Sequence, residues 1–315
     1  MDTINKYFKI KKSTFIFFTL FIIASYVLIP QFSKFHSSTK YLSHPNLYFL
    51  TLALIFTEIT FVAAALSYVK LAFKKIGTGL EILIQTAAAF INNILPAGIG
   101  GIGANYSFLK HEKHSSSEAA SVVALNNFLG LTGHLTLVLI ALVVASLSHQ
   151  KIITSSNSYS NIFKTFGFIF IITLIAALLF RKNSIFKFIN EIKTHLKSYK
   201  NRIADLIYVQ LLQVALTISN VLALYYSARA VSINIHLIYI LIIFTIGAGL
   251  KNATPTPGGL GGIEAGLLAG FLAYKVPVSQ ALAAVLFFRF VNFWIPLGIG
   301  FFTFIYANKQ KYFST

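Results

Sequence analysis

Apolar residues fall into long blocks along the chain, separated by short polar joints rich in lysine. A helix needs about 20 mostly apolar residues to cross a bilayer. Six blocks read as spans: 14–29, 47–72, 118–147, 162–180, 204–229 and 280–308. Two more, 80–109 and 236–274, are interrupted midway by glycine and proline. The pattern predicts an all-α, polytopic integral membrane protein, with about six full spans plus two Gly/Pro-broken re-entrant helical hairpins. The longest polar joint, 181–203, is too short for a separate soluble domain, so residues 1–315 read as a single membrane domain.

Composition strengthens this reading. Of 315 residues 56% are hydrophobic and only 11% charged, against about 25% charged in ordinary soluble domains. Mean hydropathy is +0.74. The net charge of +18 is carried by short basic clusters between the apolar blocks, which suits loops held against anionic lipid and argues against nucleic acid as a partner. There is no cysteine, which removes disulfides and thiolate chemistry. The basic start and apolar block 14–29 lead into Leu28-Ile29-Pro30-Gln31 with no small-x-small cleavage pattern, so the block reads as a retained, peripheral first span.

The two interrupted blocks are copies of each other. Pro96-Ala-Gly-Ile-Gly-Gly-Ile-Gly-Ala104 aligns with Pro257-Gly-Gly-Leu-Gly-Gly-Ile-Glu-Ala265, identical at six of nine positions. Span 47–72 then matches 204–229, and 118–147 matches 280–308. With 162–180 as one unpaired connecting span, repeat 1 (47–147) and repeat 2 (204–308) are inverted relative to each other. If both interrupted blocks enter and leave on one side, 18 of the 26 lysines and arginines lie on the side of the N-terminus, 6 lie opposite and 2 at membrane depth. That asymmetry puts both termini in the cytoplasm and the protein in the plasma membrane. Inverted repeats with broken helices are a transporter architecture.

Broken backbone within a bilayer survives only when buried in protein or lining a polar cavity. The expected site therefore comprises the two boxes and the polar groups beside them. In the first it takes Asn92, Asn93, Pro96, Gly98, Gly100 and Gly101; in the second, Asn252, Pro257, Gly258, Gly259, Gly261 and Gly262. The box amides are expected to hold a phosphate. Ionisable groups at membrane depth are costly and usually face a cavity or a partner: Lys251, Glu264 and Arg289 are these groups. Glu264 and Arg289 either bracket a headgroup or lock the second repeat as an ion pair, and Lys251 either joins them or snorkels outward. Asn127 occupies the place of Arg289 in the other copy. Gln210, Gln213, Thr217 and Asn220 form one helical stripe. His111 and His114 are spaced i, i+3 without a further ligand nearby, so no metal and no cofactor are expected.

Pro255-Thr-Pro-Gly-Gly-Leu-Gly-Gly-Ile-Glu264, then Ala283-Ala-Val-Leu-Phe-Phe-Arg289 and Trp294-Ile-Pro-Leu-Gly298, resemble the lysylphosphatidylglycerol synthase transmembrane family over most of the chain. The first box departs from the family pattern, running into Ala104-Asn-Tyr-Ser where members usually carry arginine, and its next helix lacks an acid–arginine pair. The soluble aminoacyl-transfer domain of bifunctional members has no counterpart here. The resemblance implies a flippase-like lipid translocator, not an enzyme, moving an anionic or aminoacylated phospholipid or a polyprenyl phosphate-linked lipid. The alternatives are a membrane glycosyltransferase using a polyprenyl-linked sugar, and an accessory membrane subunit. A homo-oligomer is compatible with each.

Overall fold

The computed structural model describes residues 41–95, 99–147, 194–197, 199–254 and 256–313. The spans expected at 14–29 and 162–180, and the site residues Pro96 and Gly98, lie outside them. The described residues form helices joined by turns, with no strand among them. In chain order these are α1 (Leu47–Leu71), α2 (Thr78–Ile94), α3 (Ile99–His111), α4 (Ser116–Leu147), α5 (Ile203–Ala230), α6 (Leu237–Ala253), α7 (Gly262–Ala273), α8 (Val278–Arg289) and α9 (Ile295–Lys309). A 3₁₀ turn (Pro257–Gly259) joins α6 to α7, and a π turn (Phe290–Trp294) joins α8 to α9. Among the described residues, four helical segments are long and apolar enough to cross a membrane: Leu47–Leu71, Ser116–Ala141, Ile203–Ala230 and Val278–Lys309. Leu237–Asn252 and Pro257–Ala273 are shorter apolar helices. Leu131, Leu139, Ile207, Leu211 and Phe302 are among the large apolar side chains left exposed, as expected where lipid rather than water is the solvent.

The broadest helix contact is between α1 and α5. At one end the Asn46 N–H donates to the Ala230 carbonyl at 2.9 Å, while at the other Arg202 donates to the Ala72 carbonyl at 3.1 Å. The two helices therefore run antiparallel along their whole length. Both bury small side chains, among them Ala53, Ala63 and Ala65 on α1 and Ala223, Ser227 and Ala228 on α5, which let apolar helices approach closely without a hydrophobic driving force. Hydroxyls that would otherwise face hydrocarbon fold back onto their own helix, as in Thr57 to Ala53 O (3.0 Å) and Ser227 to Ala223 O (2.7 Å).

Each interrupted block closes as a hairpin on glycine. In α2–α3, a side chain at Gly100 would stand 2.6 Å from the Ile91 carbonyl. In α6–α7, one at Gly266 would stand 2.8 Å from the Cα of Gly247. The hairpins meet where α2 packs against the Pro257–Gly259 turn. α9 lies along α2, with Gly300 set against the Thr86 carbonyl.

Basic joints gather at one end of the bundle. Lys74 donates to the Lys113 carbonyl, Arg202 donates to carbonyls of Lys70 and Ala72, and Tyr312 after α9 rests edge-on against Phe108 and His111. Tyr199 pins the joint before α5 by donating to the Leu71 carbonyl at 2.5 Å. Its phenol is fully buried, and burial pushes it well above its ordinary value.

Candidate functional site

Two polar sites lie among these helices. The first is built by the second box. Gly258, Gly259 and Gly261 hold φ of +59°, +66° and +88°, a left-handed run open to glycine at little cost. That run folds the chain so tightly that a Cβ at Gly258 would reach within 2.2 Å of the Phe293 ring, and one at Gly259 within 2.3 Å of the Lys251 stem. It also aims Glu264 back at the start of α7, where Oε2 accepts the Gly261 N–H at 2.8 Å, as in a capping box. Its other oxygen lies 2.6 Å from Arg289 Nε. The approach is off the N–H direction, so the contact is an ion pair more than an aligned hydrogen bond. Arg289 is only 3% exposed. Its Nη2 donates to the Gly258 carbonyl at 3.5 Å, and its guanidinium lies 4.1 Å over the Phe293 ring. Lys251 is near enough to feel both charges.

Three of the box amides are used within the loop. Gly259 N–H donates to Thr256 O at 3.0 Å, Leu260 N–H to Pro257 O at 3.1 Å, and Gly261 N–H to Glu264. Pro257 opens a three-residue turn rather than a helix, and α7 begins at Gly262 under the Glu264 carboxylate; these three amides are not free to hold the expected phosphate.

The second site is a cavity of about 360 Å³ between α1, α2, α3, α4 and α5. Asn92, Gly101 and Asn127, all expected site residues, line it together with Gln213 and Asn220 of the α5 stripe. Asn92 Oδ1 accepts the Gly101 N–H at 3.1 Å, Gln213 donates to Asn126 Oδ1 at 2.8 Å, and Asn220 Oδ1 accepts from Asn292 at 3.0 Å. Asn292 sits in the π turn, between Arg289 and Phe293, so one turn of helix touches both sites. Lys251, Glu264 and Arg289 are not in the cavity wall, which among the described residues carries no ionisable group except the Tyr68 phenol. The structure therefore separates Asn92 from the charged residues with which the sequence grouped it. Asn93 is half-buried outside the wall, and Asn252 is exposed.

Residues 16–300 match the lysylphosphatidylglycerol synthase TM region. The chain belongs to that family. No curated protein matches it.

In this member of the family, the sequence reading missed a buried polar chain that runs from Glu81 into the cavity wall. Glu81, 1% exposed, accepts from Gln85 at 2.6 Å. The same Gln85 nitrogen donates to Asn105 Oδ1 at 2.6 Å, and Asn105 donates to the Gly101 carbonyl at 2.8 Å. Glu81, Gln85 and Asn92 fall on one helical stripe at i, i+4, i+11, a spacing that marks them in the sequence. Glu58, halfway along α1, was also missed; its Oε1 is buried without a hydrogen-bond partner among the described residues. His114 is a structural residue: its Nε2 accepts the Lys74 N–H at 3.1 Å, and Nδ1 faces the Leu109 carbonyl at 3.1 Å.

Proposed function

We propose that this member of the lysylphosphatidylglycerol synthase TM region family moves a membrane lipid between the leaflets of the plasma membrane. The observation that carries the reading is the polar cavity between α1 and α5, lined from five helices of an otherwise apolar bundle. Polar volume of this kind costs several kcal/mol per unsatisfied group in hydrocarbon, and a lipid headgroup passing through it offsets that cost. On this reading Asn92, Gly101 and Asn127 contact the headgroup. Glu264 and Arg289 form a closed lock in the present conformation and Lys251 stands beside it; Gly258, Gly259, Gly261 and Gly262 shape the turn that holds them.

The inverted repeat read from the sequence belongs to the same proposal. The matched helices α1 and α5 run antiparallel, as inversion requires, and each hairpin packs closely on a glycine, though at positions that do not match in the repeat. The gathering of basic joints at one end supports a cytoplasmic placement of that end and of the C-terminus. The whole chain is read as one membrane domain.

Purified protein reconstituted into vesicles with a fluorescently tagged lipid tests the proposal. Membrane-impermeant dithionite should bleach inner-leaflet label in protein-containing vesicles much faster than in empty ones. Equal rates across a panel of anionic, aminoacylated and glycosylated lipids would refute lipid movement.

A further inference from the structure

The cavity wall carries a definite donor and acceptor pattern, because its carboxamides are committed at one end or both: Asn105 and Asn220 are bonded through oxygen and nitrogen alike, while others keep one end open. Asn92 uses its oxygen on Gly101 N–H, which leaves Nδ2 to donate into the cavity. Asn127 uses its nitrogen on the Val123 carbonyl at 2.8 Å, which leaves Oδ1 to accept. Gln85 and Gln213 likewise spend their nitrogens on Asn105 and Asn126 and leave their oxygens. An open amide donor at Asn92 thus stands among open amide acceptors, with no lysine, arginine or carboxylate among the described residues of the wall. A phosphate or carboxylate accepts only, and would face three fixed amide oxygens with no cation to offset its desolvation. An ammonium donates only, and would enter with no counter-charge in the wall. A hydroxyl both donates and accepts, and about 360 Å³ is within the size range of small-molecule sites.

We propose that the cavity binds an uncharged, hydroxyl-rich headgroup: the carbohydrate of a membrane glycolipid. The inference rests on the translocator reading only in taking the cavity as the place where a headgroup sits. Asn127 stands where the second repeat has Arg289, so the two copies differ in charge at the position that decides the ligand.

The test is equilibrium binding to the full chain in a sugar-free detergent. The three probes are a monohexosyl diacylglycerol, phosphatidylglycerol and lysylphosphatidylglycerol. The glycolipid should bind at least tenfold more tightly than either charged lipid. Asn127→Leu and Asn92→Ala should each weaken it about tenfold, and Asn127→Arg should reverse the preference towards phosphatidylglycerol. Gly249→Ala, outside the cavity, should leave binding unchanged. A charged lipid that binds wild type as tightly as the glycolipid overturns the assignment, as does failure of all three to bind. A preference unmoved in Asn127→Arg, in protein that still unfolds cooperatively, also overturns it. Lipid movement with a preference for charged headgroups defeats this inference alone. Glycolipid binding without any lipid movement defeats the translocator reading alone.

Discussion

Removing the Arg289 guanidinium should expose how much of the second repeat hangs on one contact. Arg289→Ala deletes the ion pair to Glu264 at 2.6 Å, the donation to Gly258 O and the stacking over Phe293 at 4.1 Å. Stacking of a desolvated guanidinium on an aromatic ring contributes about 0.5–2 kcal/mol. The larger loss is the Glu264 carboxylate, 18% exposed along its side chain, left with the Gly261 amide and the more distant Lys251. Breaking a buried pair from one side costs about 3–5 kcal/mol. The sum corresponds to a fall in melting temperature on the order of 10 °C, at about 2–4 °C per kcal/mol for chains somewhat shorter than this one. Replacing both partners, as Arg289→Met with Glu264→Gln, removes the stranded charge and should recover most of that loss, because an apolar substitute for a buried pair is often neutral. Differential scanning fluorimetry of Arg289→Met, Glu264→Gln and the double variant in one detergent, with Arg289→Ala beside them, measures the cycle. If the single losses simply add in the double variant, the two side chains are uncoupled and the lock does not exist.

Other outcomes follow from the same geometry. Gly258→Ala forces a side chain into left-handed backbone and onto the Phe293 ring and should cost about 2–4 kcal/mol in a thermal melt; Gly249→Ala, with open space around it, should be neutral or gain up to about 1 kcal/mol. Cysteines placed at Ser116 and Ser279, in a chain with no cysteine of its own, should react with an impermeant maleimide from opposite sides of the membrane, and labelling from one side would exclude the inverted arrangement. Tyr199→Phe should cost about 1 kcal/mol through the lost bond to Leu71 O. Because the folded protein holds the Tyr199 proton more tightly than the unfolded chain does, its contribution is whole below the unfolded value of about 10 and fades as pH rises beyond it, so alkaline destabilisation should be shallower in Tyr199→Phe.

Much of the architecture was legible in the chain because bilayer spans are written in length and hydropathy. The blocks at 47–72, 118–147, 204–229 and 280–308 reappear as long helices with ends shifted by a residue or two. The two interruptions fall at the breaks between α2 and α3 and between α6 and α7. The Glu264–Arg289 contact was foreseeable from two ionisable groups at depth with few alternatives. The cavity was not. Spacing told that Gln213 and Asn220 share a face, but only the packing of α4 on α5 decides which face meets Asn126 and Asn127. Asn105 is only 4% exposed because α3 folds back along α2, a packing that spacing does not show. Some of the donors anticipated at the second box are taken by local chemistry: a carboxylate three residues past Gly261 satisfies that amide first.

The π turn between Arg289 and Ile295 sets the phase of everything after it. The Ile295 N–H reaches back to Phe290 O across five residues, so this turn contains one more residue than an α turn would. Each helical residue advances the face by about 100°. Were the surplus residue taken up, α9 would rotate by that angle against α2. Asn292 would then swing off Asn220, and Gly300 would turn from the Thr86 carbonyl, leaving a larger residue to meet it. A one-residue deletion in Phe290–Trp294 therefore acts on the molecule as a rephasing of its last helix, felt at the cavity before it is felt at the chain end.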